Sequence, residues 1–357
     1  MNKVILVGGG TGGHCIPIVA VYKEFLKQNI SCLIISDKRG STFFSEIEKK
    51  NLIILKTPTK TISKFQQLLN FPIIFIQILL ILFKLKGSHV IGFGGYITLP
   101  VLMSANFIKI KTSIHEANAI IGKANRILSK NALNIFLTFS ETKMLNNNFS
   151  NKIHKVGLPL REEVINSLKK NDRNNKRKYI ISIIGGSQGS HSLSKEVPMA
   201  LIKFSKKIKY DLIIYHQCRK EDIQGIKHKY RAFGVSSEVN SYFQDMPNKM
   251  SKSDLIISRS GASTINEIIF IKKPSILIPY PFAVDDHQFH NADILQKISC
   301  TKVIKNNDLT SSLLLNNLLR LINNDNKTNY ISHKLQKLTY KNTSLRMIRI
   351  IQESNVN

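Results

Sequence analysis

The hydrophobic positions of this chain fall in short runs, each followed by a glycine-rich or polar loop and then by a longer helical segment. The first run, Val4 to Val7, passes through a glycine loop at residues 8–13 into a helical segment from Ile16 to Gln28. The same order begins again at Tyr179 to Ile184, with a loop at residues 185–190. Short apolar runs between helices are typical of buried parallel strands. The pattern predicts an α/β protein with two Rossmann-like domains that face one another across a cleft.

The domain boundaries are predicted from the most polar run of the chain, residues 169–178. We expect a first domain over residues 1–161, a linker over residues 162–178 and a second domain over residues 179–334. The remaining residues, 335–357, are a basic tail with a helical pattern.

Composition narrows the class of protein. Hydrophobic residues make up 43% and charged residues 21% of the 357 residues, which is typical of a globular protein rather than a disordered one. Lys and Arg number 52 against 23 Asp and Glu, and the net charge of +29 favours anionic partners such as nucleic acid, phosphate ligands or an acidic membrane face. Solvated lysines spread over the surface explain the excess equally well, so charge alone leaves the partner open.

The cysteines and histidines give no metal pattern. The four cysteines are Cys15, Cys32, Cys218 and Cys300. Their spacing matches neither a zinc site nor a disulfide framework, and it suits a reducing cytoplasm. The adjacent residues His115 and Glu116 lack the His-Glu-x-x-His spacing of a zinc enzyme.

An uncharged and largely apolar run extends from Phe65 to Phe83. Three structures are open for it: a helix lying on an anionic membrane surface, a helix spanning the membrane, and a helix buried in the core. Polar residues interrupt the run, at Gln66, Gln67, Asn70, Pro72 and Gln77. Lysines flank it on both sides, so the surface helix is favoured over the other two.

The first glycine loop ends in a histidine. His14 lies at the start of the first helix, at the carboxyl edge of the predicted sheet, where ligands of such folds bind. A neutral imidazole there is suited to taking a proton from a sugar hydroxyl. A glycine loop is by itself a weak signal, and a histidine that only caps the loop is the alternative.

A second candidate site follows the short strand Leu255 to Ser258. Gly261 allows a tight turn, Ser263 and Thr264 suit the start of a helix, and Glu267 lies in its opening turns. A helix N-terminus holds a diphosphate without a metal, and a carboxylate beyond it accepts both hydroxyls of a ribose. The stretch fits a site for a nucleotide-sugar, and an ordinary βαβ unit with solvated loops is the alternative.

Six separated segments resemble, in order and spacing, the MurG family of bacterial N-acetylglucosaminyltransferases. They are Gly8 to His14, Gly94-Gly95-Tyr96, His115-Glu116-Ala117-Asn118, Gly157-Leu158-Pro159-Leu160-Arg161, Phe243 to Met246, and Ser258 to Gln288. Together they cover nearly the whole chain.

The resemblance implies a GT-B fold and an inverting, metal-independent transfer that uses no cofactor. The implied donor is UDP-GlcNAc, and the implied acceptor is undecaprenyl-diphospho-MurNAc-pentapeptide (lipid I), whose MurNAc C4 hydroxyl receives GlcNAc to give lipid II of peptidoglycan synthesis. The enzyme is then peripheral on the cytoplasmic face of the bacterial inner membrane, where it contacts an anionic membrane surface and no nucleic acid. In this fold family the helical stretch from Leu335 to Gln352 crosses back onto the first domain.

The resemblance also implies roles for single residues. His14 is the base, Glu267 binds the ribose, the backbone at Phe243 reads the uracil, and Ser187 binds the diphosphate together with helix N-termini. The other substrate-binding positions are Thr11, Gly12, Gly13, Asn118, Arg161, Ala262 and Gln288.

Three of these positions have a narrower expected role. Asn118 and Gln288 contact the sugar hydroxyls, and Arg161 adds charge at the domain junction. One position departs from the family pattern, because many relatives have Asn before Pro159 where this chain has Leu158. Any hydrogen bond from that side chain is lost here.

Other functions fit parts of the pattern. A glycosyltransferase acting on diacylglycerol and a UDP-sugar epimerase share the fold, but the segment Asp285 to Gln288 favours the MurG family. A nonenzymatic UDP-binding membrane adaptor would keep Glu267 and have no use for His14. A nicotinamide oxidoreductase would place an acidic residue at the end of the second strand, where Asp37 lies.

Overall fold

The computed structural model describes residues 3–55, 64–85, 88–168, 177–186, 189–322 and 325–356. The chain divides into two compact units, the first comprising Met1–Arg161 with Tyr340–Asn357 and the second comprising Glu162–Thr339. Most of the polar run at 169–178 lies outside the described residues, so the linker stays a prediction.

The first unit is built on a parallel sheet of seven strands. They are β1 (Lys3–Val7), β2 (Cys32–Asp37), β3 (Leu52–Leu55), β4 (Ser88–Gly92), β5 (Thr112–Glu116), β6 (Asn134–Leu137) and β7 (Ile153–Lys155). Its first four α-helices are α1 (Gly12–Lys27), α2 (Lys64–Phe83), α3 (Thr98–Phe107) and α4 (Lys123–Leu128). The strand order is β3-β2-β1-β4-β5-β6-β7, so the order reverses between β1 and β4.

The strands of the first unit are buried because helices cover both faces of the sheet. On one face, Ile5 and Val7 of β1 pack in a core with α2 and α3. On the other face, Val4 and Leu6 pack with Phe25 and its neighbours on α1. The continuous apolar run of β1 is thus explained by burial on both sides.

The second unit repeats this arrangement with a parallel sheet of six strands. They are β8 (Lys178–Ile184), β9 (Asp211–Gln217), β10 (Ser236–Asn240), β11 (Leu255–Ser258), β12 (Ser275–Leu277) and β13 (Thr301–Val303). Its α-helices are α5 (Glu162–Ser167), α6 (His191–Ser205), α7 (Ile223–Ala232), α8 (Met246–Lys252), α9 (Ala262–Ile271), α10 (His287–Lys297), α11 (Ser311–Ile322) and α12 (Asp325–Leu338). The order β10-β9-β8-β11-β12-β13 reverses between β8 and β11.

Short 3-10 helices complete the described secondary structure. They are Gly40–Phe43, Lys49–Asn51, Asn147–Lys152, Lys220–Asp222, Val284–Asp286 and Asn306–Asp308. The two parallel sheets with helices confirm the predicted α/β class and its two Rossmann-like units.

The tail is not the single helix that the sequence predicts from Leu335 to Gln352. Helix α12 ends at Leu338, and a last helix, α13, runs over Thr343–Val356. The Thr339 hydroxyl donates to the Leu335 carbonyl, and Asn342 takes the left-handed conformation with φ of 53°, which a continuous helix does not contain.

Helix α13 belongs to the core of the first unit. Met347, Ile348 and Ile351 are buried beside the residues of α1 and β1. The hydroxyl of Thr343 donates to the Val156 carbonyl at 2.8 Å. The last helix of the chain therefore packs on the sheet formed by the first part of the chain.

Helix α2 covers the predicted apolar run and has two different faces. Ile74, Ile78 and Leu82 are buried in the core of the first unit, whereas Ile76 and Leu80 are exposed. No helix in the described part of the chain is long and apolar enough to cross a membrane. Residues four apart on one side of this helix pack against the sheet, which the spanning alternative does not predict.

Candidate active site

The predicted site residues of the first unit lie on loops at the reversal of strand order. β1 lies between β2 and β4, and ligands of such sheets bind at the carboxyl ends of the strands beside this point. The glycine loop after β1 and the Gly94-Gly95-Tyr96 loop after β4 both leave the sheet there.

The glycine loop is attached to the end of β2. Asp37 Oδ1 accepts hydrogen bonds from the Gly10 amide at 3.0 Å and the Gly40 amide at 2.7 Å. The hydroxyl of Ser36 donates to the Gly8 carbonyl at 2.7 Å. The side chain of Asp37 is only 6% exposed, so it shapes the loop. In a nicotinamide oxidoreductase this carboxylate must reach the ribose of the cofactor. Because Asp37 instead binds loop amides, its position no longer favours that alternative function.

His14 lies inside the first turn of α1 because this helix begins at Gly12, four residues before the predicted start at Ile16. Its Nδ1 is 3.2 Å from the Gly9 carbonyl oxygen. A carbonyl only accepts, so Nδ1 carries the proton of the neutral ring and Nε2 carries the lone pair. The ring lies against Gly94, where a Cβ would be 2.8 Å from His14 Cδ2. The Gly9 carbonyl thus selects a tautomer that is suited to accepting a proton at Nε2, and the loop after β4 packs against the ring.

The residues around His14 have distinct positions. Thr11 is the N-cap of α1, and its carbonyl accepts the amide of His14 at 3.1 Å. Gly12 is buried, and a Cβ on it would be 3.1 Å from the Phe43 ring, whereas Gly13 faces more open space. The predicted substrate-binding residues of this loop are therefore brought together with the predicted base.

The His-Glu-x-Asn segment forms its own hydrogen-bond network after β5. Glu116 Oε1 accepts from the Asn118 amide and side chain, at 2.9 and 3.2 Å. Its Oε2 accepts from the Gly122 amide and from Asn125 Nδ2, both at 2.9 Å. The buried carboxylate therefore holds the loop that carries Asn118, a scaffold role that the sequence analysis missed.

His115 is buried and structural. Its Nε2 donates to the Gly157 carbonyl at 3.0 Å, and its ring stacks on Phe93 with centroids 5.4 Å apart. Burial lowers the pKa of this imidazole to about 4, against which the hydrogen bond to Gly157 acts. Among the described residues its Nδ1 has no hydrogen-bond partner, so a second proton would be unsatisfied.

The loops of the second unit also converge at the reversal of strand order. The glycine loop after β8 leads into α6, whose N-cap Ser190 accepts the Leu193 amide. The loop after β11 leads into α9. The predicted diphosphate ligand Ser187 lies outside the described residues, so its role stays a prediction.

Arg259 joins the loops that follow β8, β11 and β12, and the sequence analysis did not single it out. Its Nη1 donates to the Ile278 and Pro279 carbonyls, both at 3.0 Å. Its Nη2 donates to the Ser190 and Ser192 hydroxyls, at 2.7 and 2.9 Å. Burial lowers the pKa of this guanidinium to about 10. The arginine in the Ser-Arg-Ser-Gly turn was the available signal, because a buried arginine must find several acceptors.

Helix α9 begins at Ala262 with Gly261 as its N-cap, so neither Ser263 nor Thr264 caps it. A Cβ built at Gly261 would meet no atom within 4 Å, so the space beside this turn is open. The open space and the N-terminal amides are compatible with a bound phosphate. Ala262 is buried in the first turn, and Glu267 is 8% exposed one turn further along the helix.

Gln288 is connected to the N-terminus of α9 through Ser260. The hydroxyl of Ser260 donates to the Gln288 carbonyl at 2.7 Å, and Asn291 Nδ2 donates to the Ser260 carbonyl at 3.1 Å. Gln288 Oε1 accepts the Tyr280 amide at 3.0 Å. The structure thus brings the first turn of α10 to the turn before α9, as the order of these segments predicts.

The remaining predicted positions are not among the partners of these hydrogen bonds. Phe243 is buried in the loop between β10 and α8. Arg161 ends the first unit, directly before α5, and Leu158 is buried near it in the chain. The described part of the chain contains no group of three His, Cys, Asp or Glu residues that could hold a metal ion.

Comparisons with known proteins cover both units. The N-terminal domain of glycosyltransferase family 28 matches residues 4–137, and the C-terminal domain of the same family matches residues 180–345. A protein of Pelagibacter ubique is 34% identical over 369 residues, covering 99% of this chain and 100% of its own length. A protein of Rickettsia bellii is 34% identical over 329 residues, covering 91% and 92%. Both are named UDP-N-acetylglucosamine–N-acetylmuramyl-(pentapeptide) pyrophosphoryl-undecaprenol N-acetylglucosamine transferase.

Solved structures agree with these matches. The crystal structure of Acinetobacter baumannii MurG superposes with a TM-score of 0.79 at 25% identity, covering 99% of this chain and 100% of that one. The UDP-GlcNAc 2-epimerase of Neisseria meningitidis superposes with a TM-score of 0.70 at 18% identity, covering 99% of each chain. This second likeness is one of fold alone.

We predict that the chain loses stability as pH falls below about 6.5. Burial lowers the pKa of His115 to about 4 and that of His216 to about 3, from an ordinary value of 6.5. Between these values the unfolded chain binds more protons than the folded chain, so protonation favours unfolding. Urea unfolding at pH 7, 6 and 5 measures the effect.

A variant isolates the contribution of one ring. His115→Gln keeps a donor for the Gly157 carbonyl but does not titrate, so its free energy of unfolding is expected to depend less steeply on pH. His228→Gln, on the exposed face of α7, is the matched control and keeps the wild-type slope. Equal slopes in His115→Gln and wild type would contradict the prediction.

Proposed function

The chain belongs to the MurG family of glycosyltransferase family 28, and we propose that it transfers GlcNAc from UDP-GlcNAc to the MurNAc C4 hydroxyl of undecaprenyl-diphospho-MurNAc-pentapeptide, in peptidoglycan synthesis. The observation that carries the proposal is the full-length match to relatives named for this reaction. His14 follows β1 and Glu267 follows β11, and each of these strands borders the strand-order reversal of its unit, which supports the same reaction.

We assign binding of the lipid-linked acceptor to the first unit. The acceptor hydroxyl oxygen forms the new bond to C1 of GlcNAc while the bond from C1 to UDP breaks and UDP leaves with the electron pair. His14 Nε2 takes the hydroxyl proton, because the hydrogen bond to Gly9 places the ring proton on Nδ1. Attack opposite the leaving group inverts C1. Thr11, Gly12 and Gly13 line the loop that holds the acceptor.

We assign binding of the donor UDP-GlcNAc to the second unit. Glu267 accepts the ribose hydroxyls, the backbone at Phe243 reads the uracil, and Gln288 contacts the sugar hydroxyls. Ala262 and its neighbours present the first amides of α9 to the diphosphate. Ser187 completes the diphosphate site.

Two further residues of the first unit belong to the proposal. Asn118 contacts the sugar, and Glu116 holds it in place for this contact. Arg161 adds positive charge at the domain junction.

We propose that the reaction is independent of metal ions. The charge that develops on UDP is stabilised by helix N-termini and by the cationic Arg259. This residue is hydrogen-bonded to the loops that follow β8 and β12. Such fixed dipoles are in place before the reaction, so a divalent cation is not required for charge stabilisation.

The proposed location is the cytoplasmic face of the inner membrane, where the enzyme is peripheral. Helices α2 and α3 present exposed apolar residues on the first unit: Ile76, Leu80, Phe83, Met103 and Phe107. Their spacing along each helix places them on one side, and the rings of Phe75 and Phe107 contact one another across the two helices. Exposed lysines, Lys84, Lys109 and Lys111, lie close to them in the chain. Apolar residues beside lysines suit an anionic membrane surface.

Incubation of the purified protein with UDP-GlcNAc and a short-chain lipid I analogue tests the function. We expect the disaccharide lipid and UDP as products, with inversion at C1, in buffer that contains a chelator. Absence of transfer to this acceptor would overturn the proposed function. Activity lost to the chelator and restored by Mn²⁺ would overturn metal independence alone.

We predict that His14→Ala lowers kcat by a factor of roughly 10²–10⁴, because the acceptor loses its general base. The affinity for UDP-GlcNAc, measured by titration calorimetry, is expected to stay near the wild-type value. His228→Ala, on the exposed face of α7, serves as the control. Full turnover in His14→Ala would exclude His14 as the base.

A further prediction concerns the membrane. Replacing Ile76 and Leu80 with Asp is expected to weaken binding to anionic vesicles, because both side chains are exposed on α2. Binding by the unaltered protein should weaken as salt rises and should persist in part, since apolar contact resists salt.

The control places the same charge on the opposite face of the sheet. Leu26 is exposed on α1, which packs on the face opposite to α2, so Leu26→Asp is expected to leave vesicle binding unchanged. Equal binding by the Ile76 and Leu80 double variant and by wild type would rule out this surface.

A further inference from the structure

The loop from Ser241 to Asp245 connects β10 to α8 at the carboxyl edge of the second sheet. It carries Phe243, whose carbonyl accepts the Met246 amide at 3.4 Å. Its last residue, Asp245, accepts the Asn248 and Lys249 amides with its carbonyl, at 2.9 and 3.1 Å. The loop thus ends in a hydrogen-bonded turn.

One ammonium group connects this loop to the sheet. Lys249 Nζ is 2.7 Å from Glu238 Oε2 and 3.5 Å from Asp245 Oδ2. The same atom lies 4.2 Å from the ring centroid of Tyr215 and 5.2 Å from that of Phe243. The contacts therefore join β9, β10 and α8 to both Phe243 and Asp245 of the loop.

The environment of Lys249 favours the charged form. Its side chain is 13% exposed, and this burial by itself lowers the pKa. The hydrogen bond that Lys249 donates to Glu238 and the charge of Asp245 raise it by more, so the pKa of Lys249 lies above the ordinary value. A charged ammonium among two rings and two carboxylates has few alternative positions, and it restrains the groups around it.

We propose that Lys249 is a positioning residue for nucleobase recognition, which it achieves by fixing the Phe243 loop. This inference rests on the proposed function, in which the backbone at Phe243 reads the uracil. Uracil offers an N3–H donor between two carbonyl acceptors, whereas cytosine offers an acceptor at N3 beside an amino donor. A backbone amide and carbonyl distinguish the hydrogen-bonding edge of uracil from that of cytosine only when the loop keeps one conformation. Lys249 touches no substrate itself and acts through Phe243 and Asp245.

Base discrimination is the readout that separates this role from general stability. UDP and CDP have the same ribose and diphosphate, so the ratio of their affinities reports on the base alone. We expect Lys249→Met, which keeps the length of the side chain and removes its charge, to weaken UDP binding about tenfold. CDP, which the fixed loop excludes, is expected to lose less affinity than UDP. The ratio of UDP to CDP affinity therefore becomes smaller. At saturating UDP-GlcNAc, kcat stays close to the wild-type value while KM rises.

Two variants serve as controls. Lys249→Arg keeps a cation that pairs with carboxylates and stacks on rings, so it is expected to retain most of the wild-type ratio. Lys206→Met removes another lysine that lies over a ring, that of Phe233 at 5.1 Å, beyond the C-terminal end of α6. Helix C-termini of this sheet lie at the edge away from the site, so Lys206→Met is expected to bind UDP as wild type does.

Titration calorimetry of UDP and CDP on the full chain decides between the outcomes. An unchanged ratio in Lys249→Met, whether both affinities stay or fall together, overturns the inference while the proposed function stands. Failure of the wild-type protein to bind UDP-GlcNAc would instead overturn the proposed function.

Folding is checked by the thermal midpoint of each variant. If Lys249→Met does not fold, Glu238→Gln is titrated in its place, because it removes the shortest ion pair of the ammonium and keeps both rings. A narrower ratio of UDP to CDP affinity is then expected, and an unchanged ratio overturns the inference.

Discussion

Close approach of backbone to backbone, between loops at the carboxyl ends of neighbouring strands, is the constraint on which both units depend. In the first unit a Cβ on Gly95 would lie 2.6 Å from the Gly9 carbonyl oxygen, and Gly95 has φ of 87°. In the second unit a Cβ on Gly189 would lie 2.9 Å from the Arg219 amide nitrogen, at φ of 68°. Only glycine combines a positive φ at low cost with this proximity. The loops are therefore in close contact at the edge of the parallel sheet where ligands bind.

Buried charges then hold these loops in one conformation. Asp37 and Glu116 each accept several hydrogen bonds from loop backbone or from neutral side chains, and Arg259 donates several to such groups. A buried polar group left unsatisfied costs about 1–3 kcal/mol, so each charge strongly disfavours alternative loop conformations. The consequence is a site whose backbone amides are in place before any substrate binds, which is what stabilisation of a developing charge by fixed dipoles requires.

The first unit also shows how one helix serves the core and the surface. Ile78 of α2 is buried against the sheet, while Leu80 on the same helix is 62% exposed. The helix packs through one stripe of its surface, and apolar residues outside that stripe, such as Ile76 and Leu80, are exposed. An exposed apolar face of this kind marks a surface for interaction.

The sequence by itself determined the α/β class, the two repeated units, the glycine loops and the positions of His14, Glu267 and Gln288 near strand ends. Periodicity and glycine turns are local signals, so they can be read from neighbouring residues. The start of α1 and the break between α12 and α13 were misjudged, because caps and left-handed residues such as Asn342 depend on geometry that a helical pattern does not encode. The tertiary structure alone decided that Asp37 shapes a loop, that Arg259 joins three loops, and which face of α2 is buried. These features rest on contacts between residues far apart in the chain, such as Arg259 with Ser190, and no local pattern specifies them.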